Sequence, residues 1–161
     1  MTEADLSLYT VGTLTDEEAR DAVAWRYGGE YAVYNFPDWA ECAARGWSIT
    51  DAAKRENAYF SVRYAGEFLG FFHIMDRAGH VELGVGIKPE LCGQGHGYAL
   101  MALALETIRQ TRGHTPVQLS VRTFNTRAVR CYERAGFRII DTRYEDLGTA
   151  PGEMYIMQAA V

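Results

Sequence analysis

Gly93, Gly95 and Gly97 follow one another at alternate positions and lead straight into the apolar run Tyr98 to Leu105. Glycine reaches positive φ without steric cost and lets a ligand approach the main chain. The first amides of the helix expected to follow have no partners inside that helix, and its dipole places partial positive charge there. Gly93, Gln94, Gly95, His96, Gly97 and Tyr98 therefore form a candidate cradle for a phosphate or pyrophosphate. Two other phosphate loops fail on the letters. A Walker loop needs Lys and then Ser or Thr after its last glycine, where Tyr98 and Ala99 stand; a dinucleotide fingerprint needs Gly or Ala at Tyr98. The plainer alternative is an ordinary flexible strand-to-helix connection.

Upstream, Val81, Leu83, Val85 and Ile87 alternate with Glu82, Gly84 and Gly86, the period of a strand with one apolar face. The glycines leave the other face without side chains, which exposes main chain or marks a bulge. No G-x-S-x-G elbow, H-E-x-x-H helix or C-x-x-C pair occurs. Neither a covalent enzyme intermediate nor a metal is expected.

Several elements position these residues. Leu6 to Val11 reads as a short strand. Thr15 and Glu18 make a capping box, so a helix should run from there to about Tyr27. An aromatic loop follows, then a helical stretch from Asp38 to about Lys54, interrupted near Gly46. Two strands should flank a turn at Ala65 to Glu67, and a third should end at Pro89. Beyond the glycine loop come a helix from about His96 to Gln110, a strand at Val117 to Arg122, a helix from Thr126 to Ala135 capped by Gly136, and final strands around Phe137 to Asp146 and Glu153 to Ala159. Adjacent strands without a crossover helix pair as hairpins, so the class is α/β of the α+β kind, with a mostly antiparallel sheet.

With 161 residues and 48% apolar content, the chain can bury one substantial core, and one soluble domain spanning residues 1–161 is the expectation. The acidic N-terminus has no signal-peptide pattern and no run is long enough to cross a bilayer, so the expected location is the cytoplasm, without a membrane partner. The three cysteines, Cys42, Cys92 and Cys131, fit reduced thiols there. The net charge of −5 argues against nucleic acid. It is unevenly spread: Lys88 to Arg138 carries eight basic and three acidic residues, and the remainder eight basic and eighteen acidic. One part suits an anion and the other a cation.

The loop Gly93-Gln94-Gly95-His96-Gly97, between the strand ending at Lys88-Pro89 and an apolar helix, resembles the acetyl-CoA loop of the GNAT N-acetyltransferase superfamily. Leu119 to Phe137 is similar to the family's strand, Asn, helix and Tyr-x-x-x-Gly-Phe segment. The two motifs lie in the family's order and cover roughly the second half of the chain. The resemblance implies a sheet of six to seven strands with splayed central strands, flanked by about four helices. It also implies acetyl-CoA as acyl donor, a primary amine of a small molecule or peptide N-terminus as acceptor, and direct transfer. A homodimer is compatible with it. A non-catalytic module that senses acyl-CoA is the alternative.

By the same resemblance, the main chain of Val85, Gly86 and Ile87 bonds the pantetheine arm as an added strand would, with an amide near Val85 facing the developing oxyanion. Asn125 contacts pantetheine, or is only a helix cap. Glu82 matches the position of the family's general base, acting directly or through water; a solvent-facing strand glutamate and a role for His80 stay open beside it. Tyr132 matches the family's acid for the departing thiolate, while Ala128, Tyr132 and Ala135 could merely line the buried face of their helix. Arg127, Arg130 and Arg134 could reach the adenosine phosphates, or only water. Cys92 departs from the family, which usually carries Arg or Gln there, and implies weaker anchoring. Trp25, Tyr27, Tyr31, Tyr34, Phe36 and Trp39 fall where the family folds over its acceptor, and core packing is the competing account.

Overall fold

The computed structural model describes residues 5–145 and 151–160. Its strands are β1 (Tyr9–Thr13), β2 (Tyr59–Tyr64), β3 (Glu67–Arg77), β4 (His80–Ile87), β5 (Pro116–Arg122), β6 (Arg138–Glu145) and β7 (Gly152–Ala160). Its α-helices are α1 (Asp16–Ala24), α2 (Trp39–Ala44), α3 (Ala52–Arg55), α4 (His96–Arg112) and α5 (Thr126–Arg134). The strands hydrogen-bond in the order β1-β2-β3-β4-β5-β7-β6 as one seven-stranded sheet. Pairing is antiparallel at β1/β2, β2/β3, β5/β7 and β6/β7 and parallel at β4/β5. A mixed, mostly antiparallel α+β sheet is thus the observed class. The chain divides into two compact units, Asp5–His73 with Val85–Gln94, and Ile74–Gly84 with the described residues from Gly95 onward.

In the first unit the Thr15 hydroxyl accepts from the Glu18 amide at 3.1 Å while the Glu18 carboxylate accepts from the Thr15 amide at 3.1 Å, closing the capping box. β1 begins at Tyr9 rather than Leu6, because the Asp5 carboxylate takes the Ser7 amide and the Leu6 carbonyl takes the Tyr9 amide, which turns the chain first. α1 stops at Ala24, short of Tyr27: Trp25 is extended (φ −59°, ψ 142°), and its indole is buried, stacked on Phe68 and tilted against Phe71. The expected break near Gly46 occurs, with φ 72° there. It splits the Asp38–Lys54 stretch into α2, a 3-10 turn at Ser48–Thr50 and α3, so the described residues hold five α-helices, close to the four or so expected. Ala65 and Gly66 make the β2–β3 turn with φ 50° and 85°. Leu14, Ala19, Ala22, Val23, Trp25, Cys42, Ile49, Tyr59 and Phe71 make the core.

In the second unit, α4 buries Ala99, Leu100, Met101, Ala104 and Ile108, a stripe at helical spacing, and Val117, Leu119 and Val121 of β5 and Ile156 and Met157 of β7 are buried as well. Gly113 ends α4 at φ 73° and Gly136 follows α5 at φ 106°. Of the final strand expected to reach Asp146, β6 ends at Glu145; Asp146 lies outside the described residues.

Candidate active site

In the first unit, β4 leads through Lys88 into a 3-10 turn at Pro89–Leu91 and then to Gly93. The Lys88 amide donates to the Leu69 carbonyl at 2.9 Å, tying the end of β4 to β3. The Tyr27 hydroxyl donates to the Ile87 carbonyl at 2.5 Å. Burial raises the Tyr27 phenol well above its ordinary pKa, with the Cys92 thiol and Glu90 adding to the effect. The Cys92 thiol faces the Ile87 and Lys88 carbonyls at 3.8 and 3.6 Å. Gln94 turns its amide back onto the Glu90 carbonyl at 2.9 Å, bracing the turn.

The face of β4 that Gly86 leaves without a side chain of its own is not bare. A Cβ at Gly86 would sit 2.6 Å from Cε1 of Phe71, so the ring fills that space. Val85, Gly86 and Ile87 are half-buried, whereas Gly93, Gln94 and Gly95 are exposed. The aromatic segment divides as well. Trp25 belongs to the core and Tyr27, Phe36 and Trp39 pack against it, which is the packing account of those four. Tyr31 and Tyr34 lie in the 3-10 turn Gly29–Tyr34, half-buried.

In the second unit, α4 opens on Gly95 in the left-handed region (φ 86°, ψ 0°); Gly93, in the first unit, has φ 77°. Gly95 makes no side-chain cap, so no side chain of the N-cap residue satisfies the first amides of α4. His96, Gly97 and Tyr98 form that half-buried first turn. The Arg134 guanidinium stacks over the Tyr98 ring at 4.6 Å, which sets a cation beside the start of the helix. Arg127 and Arg130 are exposed on α5.

Asn125 caps α5, accepting the Ala128 amide at 3.3 Å. Tyr132 is half-buried, edge-on to Phe137 at 6.3 Å, and Val129 rather than Ala128 or Ala135 is the fully covered residue of that helix. Glu82 stands opposite Gln118 in the parallel ladder, and its carboxylate accepts from Arg77 Nε at 2.9 Å. That ion pair is open to solvent, with side chains 36% and 49% exposed, so the carboxylate is hydrated and engaged. His80 is half-buried next to the Gly79 turn.

The sequence reading missed Phe71 as the neighbour of Gly86, Arg77 as the partner of Glu82, and the Tyr27–Ile87 bond. The first and third join residues far apart in the chain and leave no mark in local spacing. Arg77 and Glu82 straddle the β3–β4 turn, and recognising that turn would have paired them. Among the described residues there is no group of three or more His, Cys, Asp and Glu side chains that could hold a metal. No helix among them is long and apolar enough to cross a membrane.

A family model described as the acetyltransferase (GNAT) family matches residues 16–137. The chain belongs to the GNAT family. The GNAT match takes in both the glycine loop and the segment from Asn125 to Phe137. A mycothiol acetyltransferase from Salinispora tropica is 37% identical over 105 residues, 56% of this chain and 34% of that protein. One from Thermobispora bispora is 31% identical over 138 residues, 76% of this chain and 45% of that protein. The chain therefore spans less than half the length of these curated relatives. Among solved structures, the spermidine N-acetyltransferase from Vibrio cholerae in complex with CoA and spermine matches with a TM-score of 0.74 at 19% identity, covering 96% of this chain and 95% of that one. The ribosomal-protein-S18-alanine N-acetyltransferase from Escherichia coli matches at a TM-score of 0.67 and 16% identity, covering 95% and 94%. These likenesses establish the GNAT fold.

Proposed function

We propose that this GNAT chain transfers the acetyl group of acetyl-CoA directly to a primary amine of a small molecule or a peptide N-terminus. The observation that carries the reading is the start of α4: two left-handed glycines, an N-cap without a side-chain bond, and the Arg134 guanidinium over Tyr98. Amides and a fixed cation together suit a diphosphate. Gly93, Gln94, Gly95, His96, Gly97 and Tyr98 hold the pyrophosphate, and Arg127 and Arg130 add long-range attraction. Cys92 offers no cation of its own, so the main-chain amides carry more of the anchoring.

Val85, Gly86, Ile87 and Asn125 hold pantetheine. In the reaction the amine nitrogen attacks the thioester carbon; the C–N bond forms, the C–S bond breaks, and the oxyanion between these events is held by the amide near Val85. The amine's proton passes to Glu82, and the departing sulfur takes a proton from the Tyr132 hydroxyl. Because Glu82 is hydrated and bonded to Arg77, a relay through water is the route its position favours. Residues 1–161 act as one acetyltransferase domain in this reading, supported by a family match that draws on both units. The three thiols, none of them in a disulfide, suit the cytoplasm.

The same exposed Glu82–Arg77 pair favours, as a second reading, a module that binds acyl-CoA without turnover. Calorimetry with coenzyme A and a thiol-release assay against an amine panel separate the two. Binding with release for at least one amine supports transfer. Binding with no release for any amine supports the sensor, and absence of binding removes both.

A further inference from the structure

The parallel ladder between β4 and β5 has two steps, Val81 opposite Val117 and Glu82 opposite Gln118, and stops there although both strands run on. Glu82 and Gln118 are thus the last residues side by side before the strands part. Opposed residues share a face of the sheet, and alternate residues along a strand share it too. On the other face Val81, Leu83, Val117, Leu119 and Val121 are buried. On this one Gln118 is half-buried, Ser120 is exposed and Gly84 brings no side chain, so a small molecule can reach the point where pairing ends. Gln118 is oriented by one bond: its Nε2 donates to Oε1 of Gln158, the opposed residue of β7, at 2.9 Å. A side-chain amide has donors on nitrogen and lone pairs on oxygen. With Nε2 committed to β7, Gln118 keeps an Oε1 that accepts no hydrogen bond among the described residues. Glu82, the proposed base, stands one strand away, about 4.8 Å.

We propose, resting on the transfer reading above, that Gln118 Oε1 binds the amine being acetylated beside Glu82 and selects primary over secondary amines. A neutral primary amine has two N–H bonds and a lone pair. As the lone pair attacks the thioester carbon, one N–H gives its proton through water to Glu82, and the other donates to Gln118 Oε1. The C–N bond forms, the C–S bond breaks, and the sulfur takes its proton from Tyr132 as before. Two acceptors on one face therefore hold the nitrogen from two sides and aim its lone pair. A secondary amine has one N–H, which the base needs. Gln118 Oε1 then faces an alkyl group, stripped of solvent and without a donor, and an unmade bond of this kind costs more than a formed one contributes. A site built to bond an N–H rejects the analogue lacking it more strongly than an apolar pocket rejects an added methyl. Gln158 acts through Gln118 by fixing which end of its amide faces the amine, and is a positioning residue.

The test follows thiol release from acetyl-CoA with polyamines, amino sugars and short peptides, then compares the fastest primary amine with its N-methyl derivative. The parent should favour the primary amine by at least about tenfold in kcat/KM. Gln118→Met, similar in shape but without the carbonyl, should lower kcat/KM for the primary amine about tenfold to a hundredfold. It should leave the N-methyl amine little affected and KM for acetyl-CoA unchanged, so the preference collapses. Gln118→Glu keeps an oxygen at that position, with the Gln158 amide turned to donate to it, and should hold the preference to within about threefold. Gln158→Met frees the Gln118 amide to rotate and should reduce the preference by about threefold. If Gln118→Met fails to fold, Gln158→Met decides. Turnover by the parent with a preference that neither methionine variant moves overturns the assignment and leaves the transfer reading standing. So does a parent that takes both amines equally well. No thiol release with any amine removes the transfer reading and the assignment with it.

Discussion

Tyr27 donates its hydroxyl to the Ile87 carbonyl at 2.5 Å, and Ile87 ends the strand proposed to hold pantetheine. Tyr27→Phe removes that donor and leaves the part-buried carbonyl to the long Cys92 thiol contact at 3.8 Å, which should cost about 1–2 kcal/mol of stability. If the bond also fixes the strand end, KM for acetyl-CoA should rise roughly threefold to tenfold, about 1 kcal/mol, with kcat little changed. Melting curves and steady-state kinetics on one preparation check both numbers. Tyr132 poses the opposite case: its proposed proton matters only as sulfur leaves. Tyr132→Phe keeps the ring beside Phe137 and should lower kcat by about 10²-fold while the calorimetric affinity for acetyl-CoA holds. An unchanged kcat removes Tyr132 from the chemistry.

Two junctions between elements carry predictions of their own. Phe71 on β3 occupies the space over Gly86 on β4, and it is held between the Trp25 ring at 6.0 Å and the Tyr59 ring at 6.3 Å. The ring cannot yield freely, so Gly86→Ala should destabilise by about 1–3 kcal/mol. Adding Phe71→Leu should recover part of that loss, as a double-mutant cycle by denaturant would show. The other junction ties α1 to β2. Glu18 accepts from Ser61 Oγ at 2.8 Å and from Arg63 Nε at 2.9 Å, besides closing the capping box. Burial alone would raise its pKa, but the bonds from Arg63, the Thr15 amide and Ser61 outweigh it and hold the carboxyl below its ordinary value. A depressed carboxyl stabilises the fold fully above the unfolded pKa, roughly 4.3, and loses that stabilisation as pH falls through the folded value. Glu18→Gln should cost about 2–3 kcal/mol at neutral pH, less than a fully buried pair loses because solvent reaches the Arg63 side chain. Melting temperature against pH should then fall less steeply below about pH 4 in the variant than in the parent.

At the scale of the molecule, ligand binding must appear as stability. Acetyl-CoA at about a hundred times its Kd should stabilise the folded chain by about 2.7 kcal/mol. For 161 residues that is a rise of about 5–10 °C in Tm. The shift should shrink with added salt at fixed ligand, since amides and arginines meeting phosphates are screened. A thermal scan showing no shift with coenzyme A at saturating concentration would remove the anion site at α4.

The parts of this protein legible in its sequence are those set by neighbours in the chain. The Thr15–Glu18 capping box, the Gly46 break, the Ala65–Gly66 turn, the alternation of β4 and the left-handed glycines before α4 all arise from contacts within a few residues, where propensity and cap chemistry act directly. Those same local patterns made the GNAT resemblance visible. Tertiary structure alone decided the rest: that Trp25 leaves α1 for the core, that Phe71 covers Gly86, that Tyr27 reaches Ile87, and that Glu82 is spent on Arg77. Each of these depends on which side chain arrives in a given volume once strands pair. Distances through space are set by packing and register, and the order of letters does not record them.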